Sequence, residues 1–470
     1  MLFNSITFLL VFLPIALILY FVIPKRLKNA MLLLISIFFY AWGEPVYVVL
    51  MMLSILLNYF CGLDIHHRRQ NQGAAKNSLI FALAINLAIL GFFKYYAFLI
   101  TTINGIFSAD IAIRNLPLPI GISFYTFQAI SYLVDIYRGE VAPTRNIVKF
   151  GVYLAMFPSL LVGPIVRYLD IEEQLDRRQV TWSKFGNGLM LFIIGLGKKV
   201  IVAGSAAIIF SQIMELELGG FSAFTAWVGA FAFAFKIYFD FSGYSDMAIG
   251  LARMFGFELL PNFNYPYVAT SVASFWKRWH ISLGTWMRDY LYIPLGGSRV
   301  TLLRNSFNLM LVWVIIGLWH GATGHFLVLG IYFGAIITLE KHVWGKFIHR
   351  LARVVGQAYT LFLVMIGWVF FFSPNLGFAI VYLQTMFGIG VSGILDTQGV
   401  FLLTSNWLIG MVMVLGAGTV GIRLLRFIIN AFTNPLLKKL VASFIYLGIF
   451  VLSLAFILNY GSEPFIYFRF

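Results

Sequence analysis

The sequence predicts an all-α, polytopic integral membrane protein, and three observations carry that prediction. They are the composition, the recurrence of long apolar runs, and the placement of Lys and Arg. Of 470 residues, 61% are hydrophobic, 18% aromatic and only 11% charged. Soluble domains carry roughly 25% charged residues, so this chain could not cover a water-facing surface of its size. In a bilayer the same composition is appropriate, because lipid is the solvent for most side chains.

Apolar runs recur near 5–23, 29–42, 46–63, 78–100, 117–137, 188–213, 221–239, 305–320, 324–340, 356–373, 399–422 and 440–460. They predict about 11–12 spanning helices with further re-entrant or interfacial ones, since a perpendicular span needs roughly 20 residues. The runs 29–42 and 305–320 are short enough to be re-entrant or strongly tilted. The run 148–166 contains Pro158, Gly163 and Pro164 and reads as a broken element, which at membrane depth requires shielding by protein or a cavity. No charge occurs from Met1 to Pro24, and the run 6–23 is too long for a signal-peptide core, so the first helix is expected to remain. No repeat, low-complexity segment or linker divides the chain, and residues 1–470 are expected to form one membrane domain.

The net charge of +15 belongs in the same setting. Lys and Arg lie in short segments between apolar runs, as in cytoplasmic loops, and no stretch interleaves basic and aromatic residues over a polar surface. The expected partner is the lipid bilayer, not nucleic acid. The clusters are Lys25, Arg26 and Lys28; Arg68, Arg69 and Lys76; Arg138, Arg145 and Lys149; Lys341, Lys346, Arg350 and Arg353; and Arg423, Arg426, Lys438 and Lys439. With the N-terminus outside and about twelve crossings, each falls in the cytoplasm, as the positive-inside rule prefers. A single cysteine, Cys61, excludes an intrachain disulfide, a multi-cysteine metal site and an iron–sulfur cluster.

The segment 240–304 is polar and aromatic, and is expected to hold no clean spanning helix. It carries Asp240, Asp246, Asn262, Asn264, Lys277, Arg278, His280, Arg288, Asp289 and Arg299. A charge at mid-bilayer costs roughly 2.5–3.5 kcal/mol on insertion scales, so these residues line a cavity or lie at the interface. Within it, Asp240-Phe241-Ser242-Gly243-Tyr244-Ser245-Asp246 is dense in polar groups beside a span, and Gly243 invites a helix break. Internal hydrogen bonding accounts for that run at least as well as catalysis.

Of seven histidines, His66, His67, His342 and His349 sit beside Arg or Lys in charged segments, where solvation explains them. His320 instead ends the apolar run 309–319, where an imidazole must be hydrogen-bonded or face a polar cavity. That position fits a functional histidine and also one satisfied by a neighbouring carbonyl. His280, within Trp276-Lys277-Arg278-Trp279-His280, reads by itself as part of an interfacial anchor with snorkelling cations. No His-Glu-x-x-His, cysteine pair or close carboxylate cluster surrounds His320, so no metal site is expected.

At these residues the chain resembles the membrane-bound O-acyltransferase family and, within it, the alginate O-acetylation membrane protein group. The likeness runs through Gly121-Ile122-Ser123-Phe124-Tyr125-Thr126-Phe127, Gly163-Pro164-Ile165-Val166-Arg167-Tyr168, and Gly197-Lys198-Lys199. It continues through 238–250, 275–297, Trp319-His320-Gly321 and the terminal 464–470. The resemblance implies a funnel or tunnel through a thinned region, with His320 as active-site histidine and His280 as a second functional histidine. Asp240, Tyr244, Asp246, Lys277, Arg278, Trp279, Trp286, Arg288 and Trp319 would then support the tunnel and the substrate. It further implies a multi-pass protein of the bacterial cytoplasmic membrane and a cytoplasmic acyl thioester donor, acetyl-CoA, with no bound cofactor. The acceptor would be an extracytoplasmic cell-surface polysaccharide, reached through a secreted or membrane-anchored hydrolase-like acetyltransferase. The chain departs from the alginate type after Ala322: Thr323-Gly324-His325 replaces an aromatic-rich stretch, and Phe333-Gly334 stands where a His-Gly would fall. The polymer therefore stays open. D-alanyl transfer to teichoic acid from a carrier protein is the alternative within the family, and a non-catalytic transporter or flippase the alternative outside it.

Overall fold

The computed structural model describes residues 1–461 and 464, apart from 114, 115, 162, 349 and 392. His349 and the terminal motif 465–470 lie outside the described residues. Those described form helices and connecting loops, with no strand among them. The chain is a polytopic membrane protein. Among the described residues, eight helices are long and apolar enough to cross a membrane, or nine if one bent pair counts as a single span.

That number is below the 11–12 read from apolar runs, and the reasons are local. Phe8–Val22 is a shorter apolar helix, and Lys28–Gly43 has 16 residues. Ile122–Arg138 has 17 and is buried on nearly every face, as befits a core helix rather than a lipid-facing one. The run 399–422 splits into Thr397–Ser405 and Trp407–Ala417, bent by 70°. The short run 305–320, by contrast, lies within a full candidate span, Leu302–His320. The run 148–166 is broken as expected: Ile147–Ala155 stops at Met156 (ψ 114°) and Phe157–Leu160 resumes, all buried.

The expectation for 240–304 holds only after Met254. Ala223–Met254 is one continuous helix of 32 residues, and Asp240, Tyr244 and Asp246 ride on it. Gly243 does not break that helix. It is a point of close approach, where an added Cβ would meet Gly195 O at 2.6 Å and Lys199 N at 2.8 Å. From there to residue 301 only short elements occur: Pro266–Val268, Val272–Trp276, Ile281–Met287 and the π-turn Arg288–Tyr292.

The chain packs as two compact units. The first is Met1–Phe192 with Tyr244–Pro261. Its core gathers Phe3, Phe8, Phe12, Phe39 and Phe157, with ring centroids 5.0–6.4 Å apart. Tyr47–His67 and Gln72–Phe107 are joined by reciprocal amide bonds. Asn58 Nδ2 donates to Asn86 Oδ1 at 3.2 Å, and Asn86 Nδ2 to Asn58 Oδ1 at 2.8 Å. Such pairs between helices typically contribute about 0.6–2 kcal/mol in membranes.

The second unit is Ile193–Gly243 with Asn262–Phe470. At its centre Leu302–His320 packs on the helix starting at Gly324 along a seam of small residues. A Cβ on Gly330 would meet Trp313 O at 2.5 Å, one on Gly334 would meet Trp313 Cβ at 3.0 Å, and one on Gly317 would strike Phe326 O. Gly330 and Gly334 are four apart, the spacing that lets membrane helices approach backbone to backbone. The hairpin so clamped has His320 at its tip.

Candidate active site

His320 closes the 302–320 helix and is buried. Its Nδ1 lies 2.7 Å from the carbonyl oxygen of Ile316, one turn back. A carbonyl only accepts, so Nδ1 carries the proton and the Nε2 lone pair is the ring's proton acceptor. Trp319 meets the ring edge-on at 4.8 Å, with Phe371 at 5.5 Å and Phe326 at 6.1 Å.

His280 is held very differently. It precedes Ile281–Met287 in the left-handed conformation, φ 44° and ψ 56°. That region is rare for a residue with a side chain and costs about 1–3 kcal/mol, persisting where the surroundings over-determine it. The surroundings do so from both sides. Asn262 accepts Ile281 N through its backbone oxygen at 2.9 Å, and Ser282 N and Oγ through its side chain at 3.1 and 2.9 Å. Upstream, the buried Glu340 carboxylate accepts Val272 N at 2.7 Å and Ala273 N at 2.8 Å, capping the short helix that leads to His280.

The His280 imidazole is buried, 4.6 Å from the Phe241 ring and 6.2 Å from that of Trp319. Burial first, and the His320 imidazole second, hold it well below the usual histidine range, so it is neutral. Its Nε2 has no hydrogen-bond partner among the described residues, and neither does the indole nitrogen of Trp276. Unpaired buried polar atoms cost about 1–3 kcal/mol each and call for an explanation. His280 has Phe241 and Trp319 as its ring neighbours, while Trp276 belongs to an aromatic cluster, and each unpaired nitrogen can receive a polar substrate atom. Trp276, Trp279, Trp313, Phe333 and Trp368 form that cluster, with centroids 4.8–6.2 Å apart. Phe333, at the position where the resemblance puts a histidine, is one of its walls.

The other sequence-selected residues divide. Trp319 bridges the two histidines, and Trp279 packs between Trp368 and Phe275. Asp240 is buried and ion-paired with buried Lys199, which stands on the π-turn Lys198–Val202. Trp286 is buried against Tyr290 at 5.3 Å. Arg278 is half-buried and donates to Asn264 O at 3.1 Å. Lys277 and Arg288 are exposed, Arg288 pairing with its neighbour Asp289 at 2.6 Å. Tyr244 and Asp246 belong to the first unit. There Tyr244 stacks on Phe3 at 5.0 Å, and Asp246 is half-buried.

Sequence reasoning missed Phe241 as a neighbour of His280, Glu340 as the cap of the segment leading to it, and Lys199 as the partner of Asp240. It also missed a polar network in which Asn305 Oδ1 accepts His342 Nε2 at 3.0 Å and Asn305 Nδ2 donates to Tyr292 OH at 2.7 Å. A carboxylate at the end of the apolar run 324–340 was the available signal for Glu340.

The hairpin tip thus carries a histidine whose Nδ1 meets a backbone carbonyl, and Trp319 touches both it and the buried, neutral His280, an arrangement able to move a proton. The model of MBOAT, the membrane-bound O-acyltransferase family, matches residues 140–384. The chain belongs to that family and is a membrane O-acyltransferase. It is 40% identical to the "Probable alginate O-acetylase AlgI" of Azotobacter vinelandii, over 83% of this chain and 79% of that protein. It is 36% identical to the "Peptidoglycan O-acetyltransferase" of Helicobacter pylori, over 83% of this chain and 81% of that one. The "Teichoic acid D-alanyltransferase" of Bacillus subtilis is 25% identical over 50% of this chain and 62% of its own length.

Proposed function

We propose that this protein moves an acetyl group from a cytoplasmic thioester, acetyl-CoA, toward an extracytoplasmic polysaccharide of the cell envelope. His320 is the general base and His280 the partner that steadies the developing charge. The observation that carries the reading is the His320–Ile316 hydrogen bond, because it orients the ring and leaves Nε2 as proton acceptor. A hydroxyl of the acceptor gives its proton to Nε2 as its oxygen attacks the thioester carbonyl, forming a tetrahedral oxyanion. His280 Nε2, as the N–H tautomer, and Trp276 Nε1–H are the donors for that oxyanion, both being buried without partners. Collapse breaks the carbon–sulfur bond, and the leaving thiolate takes the proton from His320. The surrounding rings exclude the water that would hydrolyse the thioester.

The acceptor hydroxyl belongs to a secreted or membrane-anchored transferase that completes delivery to the polymer. Acetyl is favoured over D-alanyl because the likeness to the acetylating relatives runs over most of the chain, while that to the D-alanyltransferases spans about half. The test uses purified protein in sealed vesicles with labelled acetyl-CoA and, in a parallel arm, a D-alanyl carrier-protein thioester. Free CoA thiol appearing with acetylated acceptor supports the reading. Turnover of the D-alanyl thioester alone would overturn it.

A further inference from the structure

The second unit encloses a cavity of about 610 Å³ away from the two histidines. Its inner wall is Tyr267, Met365, Leu402 and Met413, all buried, and its rim includes Leu403 and Val414, both exposed. No charged side chain among the described residues lines it. The polar side chains in the wall are mostly engaged elsewhere. Tyr267 OH donates to Ala234 O at 2.7 Å and accepts Trp368 Nε1 at 3.2 Å. Gln357 Nε2 donates to Tyr267 O at 3.0 Å, Asn406 Nδ2 to Leu402 O at 2.9 Å, and Trp227 Nε1 to Met386 O at 3.0 Å. A polar ligand entering here would lose its water and gain little in exchange.

We infer that this cavity is a seat for one acyl chain of a bilayer phospholipid. Its rim is formed by the bent pair Thr397–Ser405 and Trp407–Ala417, apolar helices of a broken span or a re-entrant loop, either of which puts hydrocarbon at its mouth. A flexible chain can enter it, reaching the buried Tyr267 and Met365. Tyr267 in turn packs on Phe275 at 5.8 Å and Trp279 at 6.3 Å, so a chain seated here braces the wall that carries His280.

Gly410 lines the cavity, and a Cβ added there would meet nothing within 4 Å, so a larger side chain can start there without a clash, and Gly410→Phe is the plug. Half-buried Trp227, also in the wall, is the reporter. The full chain is reconstituted in phospholipid brominated in mid-chain and, separately, in the unbrominated lipid. Subtracting the spectra of Trp227→Phe isolates the Trp227 emission. Bromine should abolish most of that emission in the wild type, and Gly410→Phe should restore it. Gly410→Leu, a smaller plug, should restore part of it and serves if the Phe variant does not fold. Trp227 emission indifferent to bromine in the wild type would overturn the inference, whether the occupant were another protein or nothing. Quenching unchanged in both plugged variants would overturn it equally, since bromine would then reach Trp227 by another route.

Discussion

The carboxylate of Glu340 accepts the backbone amide of Val272 at 2.7 Å, across 68 residues of sequence and eight residues before His280. A second bond, from Ala273 N at 2.8 Å, completes the cap. Hydrogen bonds to a charged group contribute about 1.5–3 kcal/mol, and this pair fixes the start of the segment that forces His280 into its left-handed conformation.

Glu340→Ala is therefore expected to lower turnover by loosening His280, together with some loss of thermal stability. Glu340→Gln keeps one acceptor oxygen and should recover much of the rate, a rescue that a charge-dependent catalytic role would not give. The measurement is kcat against KM for thioester consumption, with melting followed in parallel. Equal activity in Glu340→Ala and wild type would show that the cap does not position the site.

Asp240 and Lys199 form a buried pair in the same unit, with side-chain exposures of 5% and 3%. Removing one partner of a buried pair typically costs about 3–5 kcal/mol, because the other charge is left uncompensated. Asp240→Asn should reduce the amount of folded protein at least as much as the specific activity. The double replacement Asp240→Leu with Lys199→Met should restore yield, measured as the monodisperse peak on size exclusion. Normal abundance with abolished turnover in Asp240→Asn would instead make Asp240 part of the chemistry.

The positive-inside rule places both basic segments, 68–76 and 341–353, in the cytoplasm, which needs an even number of crossings between them, so the core helix Ile122–Arg138 must cross along with the five candidate spans there. Cys61 is replaced first, and single cysteines are then introduced at Gln70 and Arg350, both exposed. An impermeant thiol reagent should label neither in intact cells and both after permeabilisation. Strong labelling from outside at either position would invert the orientation.

The helical class was legible because composition and run length are read without tertiary information. The span number was not, since an apolar run such as 117–137 looks the same whether lipid or protein covers it. Gly243 misled for a related reason. Absence of a side chain signals either a break or a close approach, and only the neighbouring backbone of Gly195 decides between them. His320 stood out as a histidine ending an apolar helix. His280 did not, because its flanking Trp, Lys and Arg look interfacial, and what distinguishes it lies in Asn262, Glu340 and Phe241, none of them within 15 residues of it in sequence. Tertiary partners of this kind leave no local pattern.

The histidines separate an enzyme from a passive carrier. Removing a general base costs about 10²–10⁴-fold in rate, whereas losing a satisfied core histidine mainly costs stability. His320→Ala should insert and purify near normally yet lose acyl transfer by that factor. His320→Gln is the sharper variant. Its amide can still donate toward Ile316 O and so keep the hydrogen bond seen at 2.7 Å, but it cannot take the proton from an attacking hydroxyl. It should fail almost as badly as Ala. His280→Ala should be impaired less, since it removes one donor to the oxyanion and leaves the base in place. His325 supplies the contrast. It is buried five residues along, with Nε2 3.1 Å from Thr323 Oγ1, and faces that loop hydroxyl rather than the Ile316 carbonyl. His325→Ala should remain substantially active. Transfer of labelled acetyl from the thioester to the acceptor reads all four variants. Near-wild-type transfer by His320→Gln would remove the base from His320.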